Sequence, residues 1–567
     1  MKNIRSFIKA HGIAVLLCCM VLVISCTDKF DEINTDKNAI ATLEDSQLPF
    51  LFSAALQTGT NSGWSYQVAQ NLFHDQYAQY FANTTTYFPS DRLVIRMDWI
   101  GSLWEPQYVS TMPQLQTLME KYDPASAEYA LANIWWVLSF QRITDTWGPI
   151  PYFNAGKLDP TIPYDPQDQI YDDFFKRLKS SVDILKTKTT ESPYSSFDLI
   201  YGGNISKWIK FANTLRLRLA VRISNVDPGR AKSEAEAAVA DGVMTASPVD
   251  DALIQKSIVN SDVNGLSVMD WNEFRMSSAM ESVLKGYEDP RMPVYFNPTQ
   301  NSILANIKAN SGKFNPDDLA HPLDFNGLRN GLTAADMAVP LNHYNENSRH
   351  GQRWNSATST VTYLGHYYHV ADKWYAKDST TQYTAGQAVP SNVMGAAEAY
   401  FLRAEGVLLN WNMGAGTAKS FYEAGITASM NQWGITDPAE ITAYINSTAT
   451  PIPPQDAQNS PALSTVPVLF GATTAVQLEQ IAVQKWLALF PDGNEAWADV
   501  RRSGYLKLYP VVKSDNADIT DPATQTIRRI PFMLSEKASN ARAVDDAVPL
   551  LGSGGDKVTT PLWWDTN

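Results

Sequence analysis

The chain has 567 residues, of which 44% are hydrophobic and only 18% are charged, so it can bury a large core. Its formal net charge is −14 and its isoelectric point is about 5.0. This acidic balance argues against nucleic acid as a partner, because nucleic-acid binding needs a basic surface that neutralises phosphates. It also argues against adsorption to an anionic membrane surface.

The N-terminus has the pattern of a secretory signal peptide. Lys2, Arg5 and Lys9 precede an apolar run at residues 12–24. That run is shorter than the roughly 20 residues that a membrane-spanning helix needs. It ends in Val23-Ile24-Ser25-Cys26, which resembles a bacterial lipobox. We therefore predict that residues 1–25 are a lipoprotein signal peptide cut before Cys26; the alternative is an ordinary signal that happens to end near a cysteine.

The predicted cleavage would leave a lipid anchor and a short tether. The three cysteines are Cys18, Cys19 and Cys26, so the mature body would have no disulfide. Cys26 would carry a thioether-linked diacylglycerol, and each buried acyl methylene contributes about 0.8 kcal/mol to membrane anchoring. Residues 26–45 then form a polar, acid-rich tether. Its first residues also resemble the export signals that send some lipoproteins to the outer face of the outer membrane.

Two stretches have clear helical periodicity. Residues 206–223 carry apolar side chains at three- and four-residue steps, with Ser206 placed as a cap. Residues 395–434 predict a helix pair: one helix over 396–410, a glycine-rich break, and a second helix that starts at Thr417 and ends near residue 432. Small and large residues alternate in this pair at the spacing of a tetratricopeptide repeat, a helix–turn–helix unit of about 34 residues.

The remaining chain predicts a mainly α protein with irregular insertions. Further helices are expected at residues 128–143, 169–186, 230–241, 277–286 and 478–490. Residues 242–275, 297–392 and 436–475 are rich in Asn, Ser, Thr, Gly and Pro, so we expect loops and short β-hairpins there. We predict that residues 46–567 form one helical domain that carries these loops.

The sequence contains no HExxH, GxSxG or P-loop motif. The nearest approach to a metal pair is His366 and His369, which we interpret as loop histidines, and we expect no metal and no cofactor. A glycosidase needs only two carboxylates across a cleft, so that alternative stays open. Asp145, the most conspicuous acid, lies in a turn and is expected to bond local backbone amides. We predict that the protein is not an enzyme.

Several motifs recur in order along the mature chain. They are Asp145-Thr146-Trp147-Gly148-Pro149, Lys207-Trp208-Ile209-Lys210-Phe211, Asp289-Pro290-Arg291, Ala397-Glu398-Ala399-Tyr400, Asn494-Glu495-Ala496-Trp497 and Arg501-Arg502-Ser503-Gly504-Tyr505. Together with Cys26 they resemble the SusD/RagB family of nutrient-binding outer-membrane lipoproteins. Most of these motif residues are expected to be structural, because they lie on predicted helices or at helix ends.

The resemblance implies about four tetratricopeptide-like helix pairs with a loop-rich half. It implies a lipid-anchored protein at the cell surface that captures an oligosaccharide, or in some members a peptide, without cleaving it. It also implies a partner, a TonB-dependent (SusC-like) outer-membrane transporter that receives the ligand. A lipid-anchored glycosidase and a purely structural scaffold are the alternatives from other functional classes.

A sugar site without chemistry needs exposed aromatic rings beside polar groups. In the family, ligand contacts come from the segment before the helix that here is predicted to begin near Trp99. The predicted ligand-binding residues are therefore Trp64, Asn83, Tyr87, Phe88 and Arg92, with Trp354 and Tyr363 from a second aromatic cluster. That second cluster suits a strand pair at the rim of a site, or a face that docks on the transporter. The alternative for all seven is packing of loops onto the scaffold.

Overall fold

A computed structural model describes residues 44–60, 65–254, 273–296, 324–342 and 391–567, with short pieces between residues 298 and 362. Cys26, the signal peptide and most of the tether lie outside the described residues, so those boundaries stay predictions. The chain divides into two units, Met1–Leu48 and Pro49–Asn567. In the first unit the described residues include a 3-10 turn at Asp45–Gln47. The scaffold described below belongs to the second unit.

Most of the regular structure is helical. The helices are α1 (Leu48–Thr58), α2 (His74–Tyr77), α3 (Met97–Pro106), α4 (Met112–Lys121), α5 (Ala127–Trp147), α6 (Gln167–Lys186), α7 (Ile205–Arg222), α8 (Pro228–Asp241), α9 (Ser278–Gly286), α10 (Met292–Tyr295), α11 (Ala334–Met337), α12 (Ala396–Leu408), α13 (Ala418–Gln432), α14 (Pro438–Ile445), α15 (Thr474–Leu489), α16 (Gly493–Ser503), α17 (Leu534–Ser539) and α18 (Ala541–Ala547). Short turns of 3-10 or π type include Gln67–Asn71, Pro89–Arg92 and Gln107–Thr111.

Four helix–turn–helix pairs form the scaffold, as predicted: α5 with α6, α7 with α8, α12 with α13, and α15 with α16. Neighbouring pairs also pack together, with α6 against α7 and α12 against both α7 and α15. The predicted helix over 206–223 is confirmed as α7 and the predicted pair over 396–432 as α12 and α13. The predicted mainly α, tetratricopeptide-like fold is therefore confirmed.

Side-chain caps explain where these helices begin. Ser126, Asn204 and Thr417 each accept a hydrogen bond from the backbone N–H three residues later, at the N-termini of α5, α7 and α13. The cap of α7 is Asn204 and not Ser206, so that detail of the prediction was wrong. Asn204 has the extended backbone that an N-cap needs, whereas Ser206 already lies inside the helix.

Small residues let the helices of a pair approach closely. A Cβ atom added at Gly425 on α13 would lie 2.7 Å from the ring of Phe401 on α12. A Cβ at Gly406 would lie 2.6 Å from the sulfur of Met413. Real Cβ atoms do not tolerate such contacts, so a larger residue at either position would force Phe401 or Met413 to move.

An ionic cluster, defined here as Arg218, Arg222, Glu398, Glu495, Glu405, Lys485, Asp499 and Arg502, joins four of these helices. Arg218 on α7 donates two 2.6 Å hydrogen bonds to Glu398 on α12. Arg222, one turn later, bonds Glu495 on α16 at 2.5 Å. The members are at most 7% exposed. Their charges are therefore compensated inside the protein and not by water.

The second half of the ionic cluster centres on Glu405 at the end of α12. Lys485 on α15 lies 3.4 Å from Glu405 and 2.8 Å from Asp499 on α16, and Arg502 bonds both carboxylates. Burial alone would raise the pKa of Glu405, but Arg502 and Lys485 hold it below its usual value. The motif residues Glu398, Glu495 and Arg502 thus connect one helix to another, which agrees with the structural role expected for them.

Short antiparallel strand pairs occur in the irregular segments. The strands are β1 (Phe81–Asn83), β2 (Ala252–Ile254), β3 (Phe274–Met276), β4 (Arg353–Asn355), β5 (Thr360–Thr362) and β6 (Ser391–Met394). They pair as β1 with β3, β2 with β6, and β4 with β5. The expectation of loops and short β-hairpins over 436–475 missed the helix α14, which Asp437 caps and Pro438 opens. Among the described residues, no helix is long and apolar enough to cross a bilayer.

Candidate functional site

The segment predicted to bind a ligand begins at the end of strand β1 and continues as a loop to the helix α3. Asn83, the last residue of β1, pairs with Phe274 of β3 and is fully buried. Its Oδ1 accepts a 3.0 Å hydrogen bond from Nε2 of Gln76. Asn83 therefore fixes the start of the following loop.

A buried carboxylate, that of Asp91, anchors the loop between β1 and α3. Asp91 accepts hydrogen bonds from Asn330 Nδ2 at 2.9 Å and from the backbone N–H of Gly331 at 2.7 Å. Burial raises the pKa of Asp91 to about 6, although these donors and Arg92 oppose the shift. Leu93 then adopts a left-handed conformation, with φ of 66°, and turns the chain toward α3. The loop is thus attached to the segment around residue 330.

Arg92 ties the same loop to the C-terminal region. Its Nε donates to Asp515 at 2.6 Å, and its Nη2 donates to the carbonyl of Thr86 at 3.3 Å. The Arg92 side chain is only 12% exposed, whereas Asp515 is 35% exposed. Arg92 consequently holds the loop backbone in place at the position where Tyr87 emerges.

Three aromatic rings lie on this loop and on the helix α3 that follows it. We call these residues, Tyr87, Phe88 and Trp99, the aromatic ledge. Phe88 is 6% exposed and stacks on Phe274 of β3, with ring centres 6.0 Å apart. It contacts Trp99 edge-on at 5.8 Å and Tyr87 edge-on at 5.0 Å. Tyr87 itself is 74% exposed. A buried ring therefore supports an exposed one, and the exposed ring is available for a ligand.

Polar groups surround the aromatic ledge. Arg96 lies over the ring of Trp99 at 4.4 Å and bonds the carboxylate of Asp98 through two contacts of 3.0 and 2.6 Å. At the start of the loop, the backbone N–H of Thr84 donates to the carbonyl of Glu273. The carboxyl of Glu273 accepts a 2.5 Å hydrogen bond from Gln67, and burial raises its pKa to about 7 although that hydrogen bond opposes the shift. An exposed ring with cationic, amide and carboxyl neighbours suits the flat apolar faces and hydroxyl rims of sugars.

The structure brings four of the predicted residues together and leaves three outside its description. Asn83, Phe88 and Arg92 support the loop, and Tyr87 is presented to solvent. Trp64, Tyr363 and the side chain of Trp354 lie outside the described residues, so their roles stay predictions. Nonetheless, the backbone of β4 and β5 forms the expected strand pair.

Sequence reasoning missed Trp99 as a member of the aromatic ledge and Arg96 as its neighbour. It also missed Glu273, the residue before Phe274, on which Phe88 stacks. Arg96 and Trp99 are three apart at the start of a helix, and that spacing could have indicated their contact. Glu273 is almost 190 positions away from Tyr87, and no local pattern connects it to the ledge.

The conspicuous acid Asp145 has a structural role, though not the one expected. It does not bond local amides; it accepts hydrogen bonds from Tyr171, Trp564 and Gln141, and it lies 3.4 Å from Arg222. It is 1% exposed and cannot meet a substrate in this arrangement. Within the described residues, no group of three or more His, Cys, Asp or Glu side chains could hold a metal ion.

Comparisons with known proteins agree with this architecture. A solved chitin-binding SusD homologue from Flavobacterium johnsoniae is 34% identical, with 92% of this chain and 99% of that one covered and a TM-score of 0.76. A SusD homologue from Bacteroides vulgatus is 30% identical, with 91% and 97% covered and a TM-score of 0.75. A further chitin-binding protein is 25% identical, with 92% and 99% covered and a TM-score of 0.68.

Sequence comparison gives the family directly. No curated protein sequence matches the chain significantly. The sequence profile described as "SusD-like: Susd and RagB outer membrane lipoprotein", however, matches residues 27–565, nearly the whole chain beyond Cys26. This chain belongs to the SusD-like family of outer-membrane lipoproteins.

Proposed function

We propose that this outer-membrane lipoprotein captures chito-oligosaccharides on the aromatic ledge, does not cleave them, and passes them to a TonB-dependent transporter. The observation that carries the proposal is the ring of Tyr87, which is 74% exposed on a loop held by Asp91 and Arg92. An exposed tyrosine ring offers a flat apolar face and a polar tip, and this combination suits a sugar.

The chemistry around the ring supports a sugar with N-acetyl groups. Tyr87 and the half-buried Trp99 offer faces for the apolar side of a pyranose. Arg96 and Asp98 offer donors and acceptors for hydroxyl and acetamido groups. The choice of chito-oligosaccharides rests on two similar solved structures that are described as chitin-binding, one of them 34% identical to this chain.

Calorimetry with chito-oligosaccharides tests the proposal. Tyr87→Ala should weaken binding roughly 10-fold, which corresponds to about 1.4 kcal/mol and to the loss of one sugar–aromatic contact. Phe153→Ala is the matched control, because Phe153 is also an exposed aromatic (43%) but lies on another loop, after α5. Equal affinities of wild type and Tyr87→Ala would remove the aromatic ledge as the site.

The same samples distinguish capture from hydrolysis. Chromatography after prolonged incubation should recover the oligosaccharide intact. Shortened products that disappear on mutation of a single carboxylate would favour a glycosidase. Binding of peptides in place of chito-oligosaccharides would favour the peptide-binding alternative within the family.

The transporter step rests on family membership and needs its own test. Purification of the lipidated protein from its native outer membrane in mild detergent should recover a TonB-dependent transporter with it. Recovery of the lipoprotein alone, under conditions that keep other outer-membrane complexes intact, would contradict the transfer step and leave the glycan-binding step unaffected.

A further inference from the structure

A groove lies at the opposite end of α3 from the aromatic ledge. Trp99 of the ledge is in the first turn of α3, whereas Glu105 in the last turn lines the groove. We call it the acidic groove; it has a volume of about 460 Å³ and lies between the end of α3, the loop after α5 and the helix α17. None of Tyr87, Phe88 and Trp99 lines it. The acidic groove is therefore a separate feature of the surface.

Exposed apolar side chains gather around the acidic groove. Val109 lines it and is 74% exposed. Phe153 and Leu158 are exposed on the loop after α5, and Leu534 is exposed beside Ser535, which lines the groove. Eleven large hydrophobic side chains are exposed among the described residues, and these four lie on the three segments that form this one groove. Single exposed apolar residues are ordinary, but a group of them rimmed by polar residues marks a surface that another protein covers.

The charged side chains that line the acidic groove are all carboxylates: Glu105, Asp159 and Glu536. No Lys, Arg or His lines it. Asp159 accepts a hydrogen bond from a backbone N–H of its own loop, and Glu536 accepts from the neutral side chains of Tyr164 and Asn540. None of the three carboxylates forms an ion pair with a described residue.

The lysines nearest in sequence do not neutralise these carboxylates. Lys157 donates to Oδ1 of Asn154 at 2.5 Å, and Lys537 pairs with Asp556 at 2.7 Å. Negative charge beside exposed apolar side chains therefore favours an occupant that brings both positive charge and apolar surface.

Three other kinds of occupant fit this surface poorly. An anionic lipid surface would be repelled by the carboxylates. In a symmetric dimer, a second copy would bring the same carboxylates into the contact, in a chain whose net charge is −14. A small molecule inside the groove would leave Leu158 and Leu534 in water, because neither of them lines it.

We propose that the acidic groove docks a segment of a partner protein that carries Lys or Arg beside aliphatic side chains. The basic groups lie toward Glu105, Asp159 and Glu536, and the aliphatic side chains cover Val109 and Leu158. The exposed apolar side chains and the unpaired carboxylates then have complementary partners in one contact. The contact uses no residue of the aromatic ledge, so this proposal and the proposed function fail independently.

Photo-cross-linking in the native cells tests the proposal on the lipidated protein. With p-benzoylphenylalanine in place of Val109, irradiation should give a cross-link to another protein, and the cross-linked peptide, once sequenced, should contain Lys or Arg beside Leu, Ile or Val. The matched control places the same group at Val249, which is 60% exposed but does not line the groove, and should give no such product. No cross-link from position 109, a cross-linked peptide without basic residues, or a cross-link to a second copy of this chain would overturn the proposal.

Two charge reversals show whether the carboxylates of the groove attract the partner. In the protein with the cross-linker at position 109, Glu105→Lys should lower the yield of the cross-link about tenfold, because it places a like charge against the basic segment. Glu120→Lys is the matched control, since Glu120 is exposed on α4, does not line the groove and changes the net charge by the same amount. Equal yields in both variants, whether lowered or not, would refute the role of the groove.

The apolar part of the contact has its own variant. Leu158→Ser should lower the yield about threefold, and thermal unfolding should be unchanged because Leu158 is fully exposed. Unaltered yield in this folded variant would contradict the proposed apolar contact. Calorimetry with chito-oligosaccharides should show unchanged affinity in Glu105→Lys and Leu158→Ser, which separates this surface from the aromatic ledge.

Discussion

The ionic cluster makes a sharp prediction about stability through Glu398→Gln. The substitution preserves side-chain shape but removes the charge from a bidentate pair whose two bonds are both 2.6 Å long. Both side chains are at most 3% exposed. Removing one partner of a buried ion pair costs about 3–5 kcal/mol. Arg218 keeps Glu495 at 3.6 Å, so we expect the lower end of that range.

The corresponding change in melting temperature follows from the size of the protein. A body of roughly 500 residues has an unfolding entropy of about 1 kcal/mol/K near its transition, so the Tm should fall by about 3 °C. Scanning calorimetry at neutral pH measures the shift. The matched control is Glu423→Gln on α13, because Glu423 forms an exposed pair with Lys419 at 3.6 Å and should cost at most about 0.5 kcal/mol. If both variants melt together, the buried charges do not stabilise the helix contacts and the reasoning fails.

Three further predictions concern acid, the loop and the anchor. Burial alone would raise the pKa values of Glu405 and Asp499, but Arg502 and Lys485 lower both below their usual values of 4.5 and 3.8. The stabilisation by these two carboxylates is therefore complete above pH values of 4.5 and 3.8, and it is lost as pH falls through the lower folded-state pKa values. Because Lys485→Met removes one cause of those low pKa values, it should flatten the drop of Tm between about pH 5 and pH 3. The same dependence of Tm on pH in the variant and the wild type would contradict this. Arg92→Met should release the loop from Asp515 and weaken chito-oligosaccharide binding by roughly two- to tenfold in calorimetry, with no effect if the loop holds itself. Cys26→Ala should move the protein from the detergent phase to the aqueous phase in detergent partition, and retention in the detergent phase would show an anchor elsewhere.

The helical scaffold could be predicted because its signals are local. Gly406, Gly425 and the cap Thr417 lie within about one repeat of each other, and together they gave the α12–α13 pair almost to the residue. The helix α14 was missed inside a segment rich in turn-forming residues, although Asp437 followed by Pro438 is a strong helix start. The helix α16 was missed because most of its residues are polar or charged, although nearly all of them are buried.

The candidate site was less predictable because its geometry depends on distant residues. Tyr87 and Phe88 are adjacent aromatics, yet one is 74% exposed and the other 6% exposed. Phe88 is buried because it stacks on Phe274 of β3, and nothing in the sequence of the loop itself predicts that contact. Asn83 and Arg92 were predicted as ligand-binding residues because they lie in the segment that supplies ligand contacts in the family. In the structure their hydrogen bonds are to Gln76, Asp515 and the loop backbone.

Several of the motif residues, such as Glu398, Glu495 and Arg502, lie in the ionic cluster, whereas the ring proposed to contact a nutrient lies on a loop outside it. Arg218, Glu398 and Glu495 can stay unchanged while residues 84–96 are exchanged. A motif search will therefore group such proteins by their helical scaffold and will not identify the ligand that each one binds. An engineer can use the same separation to graft a new loop for a different polysaccharide without disturbing the helices that carry it.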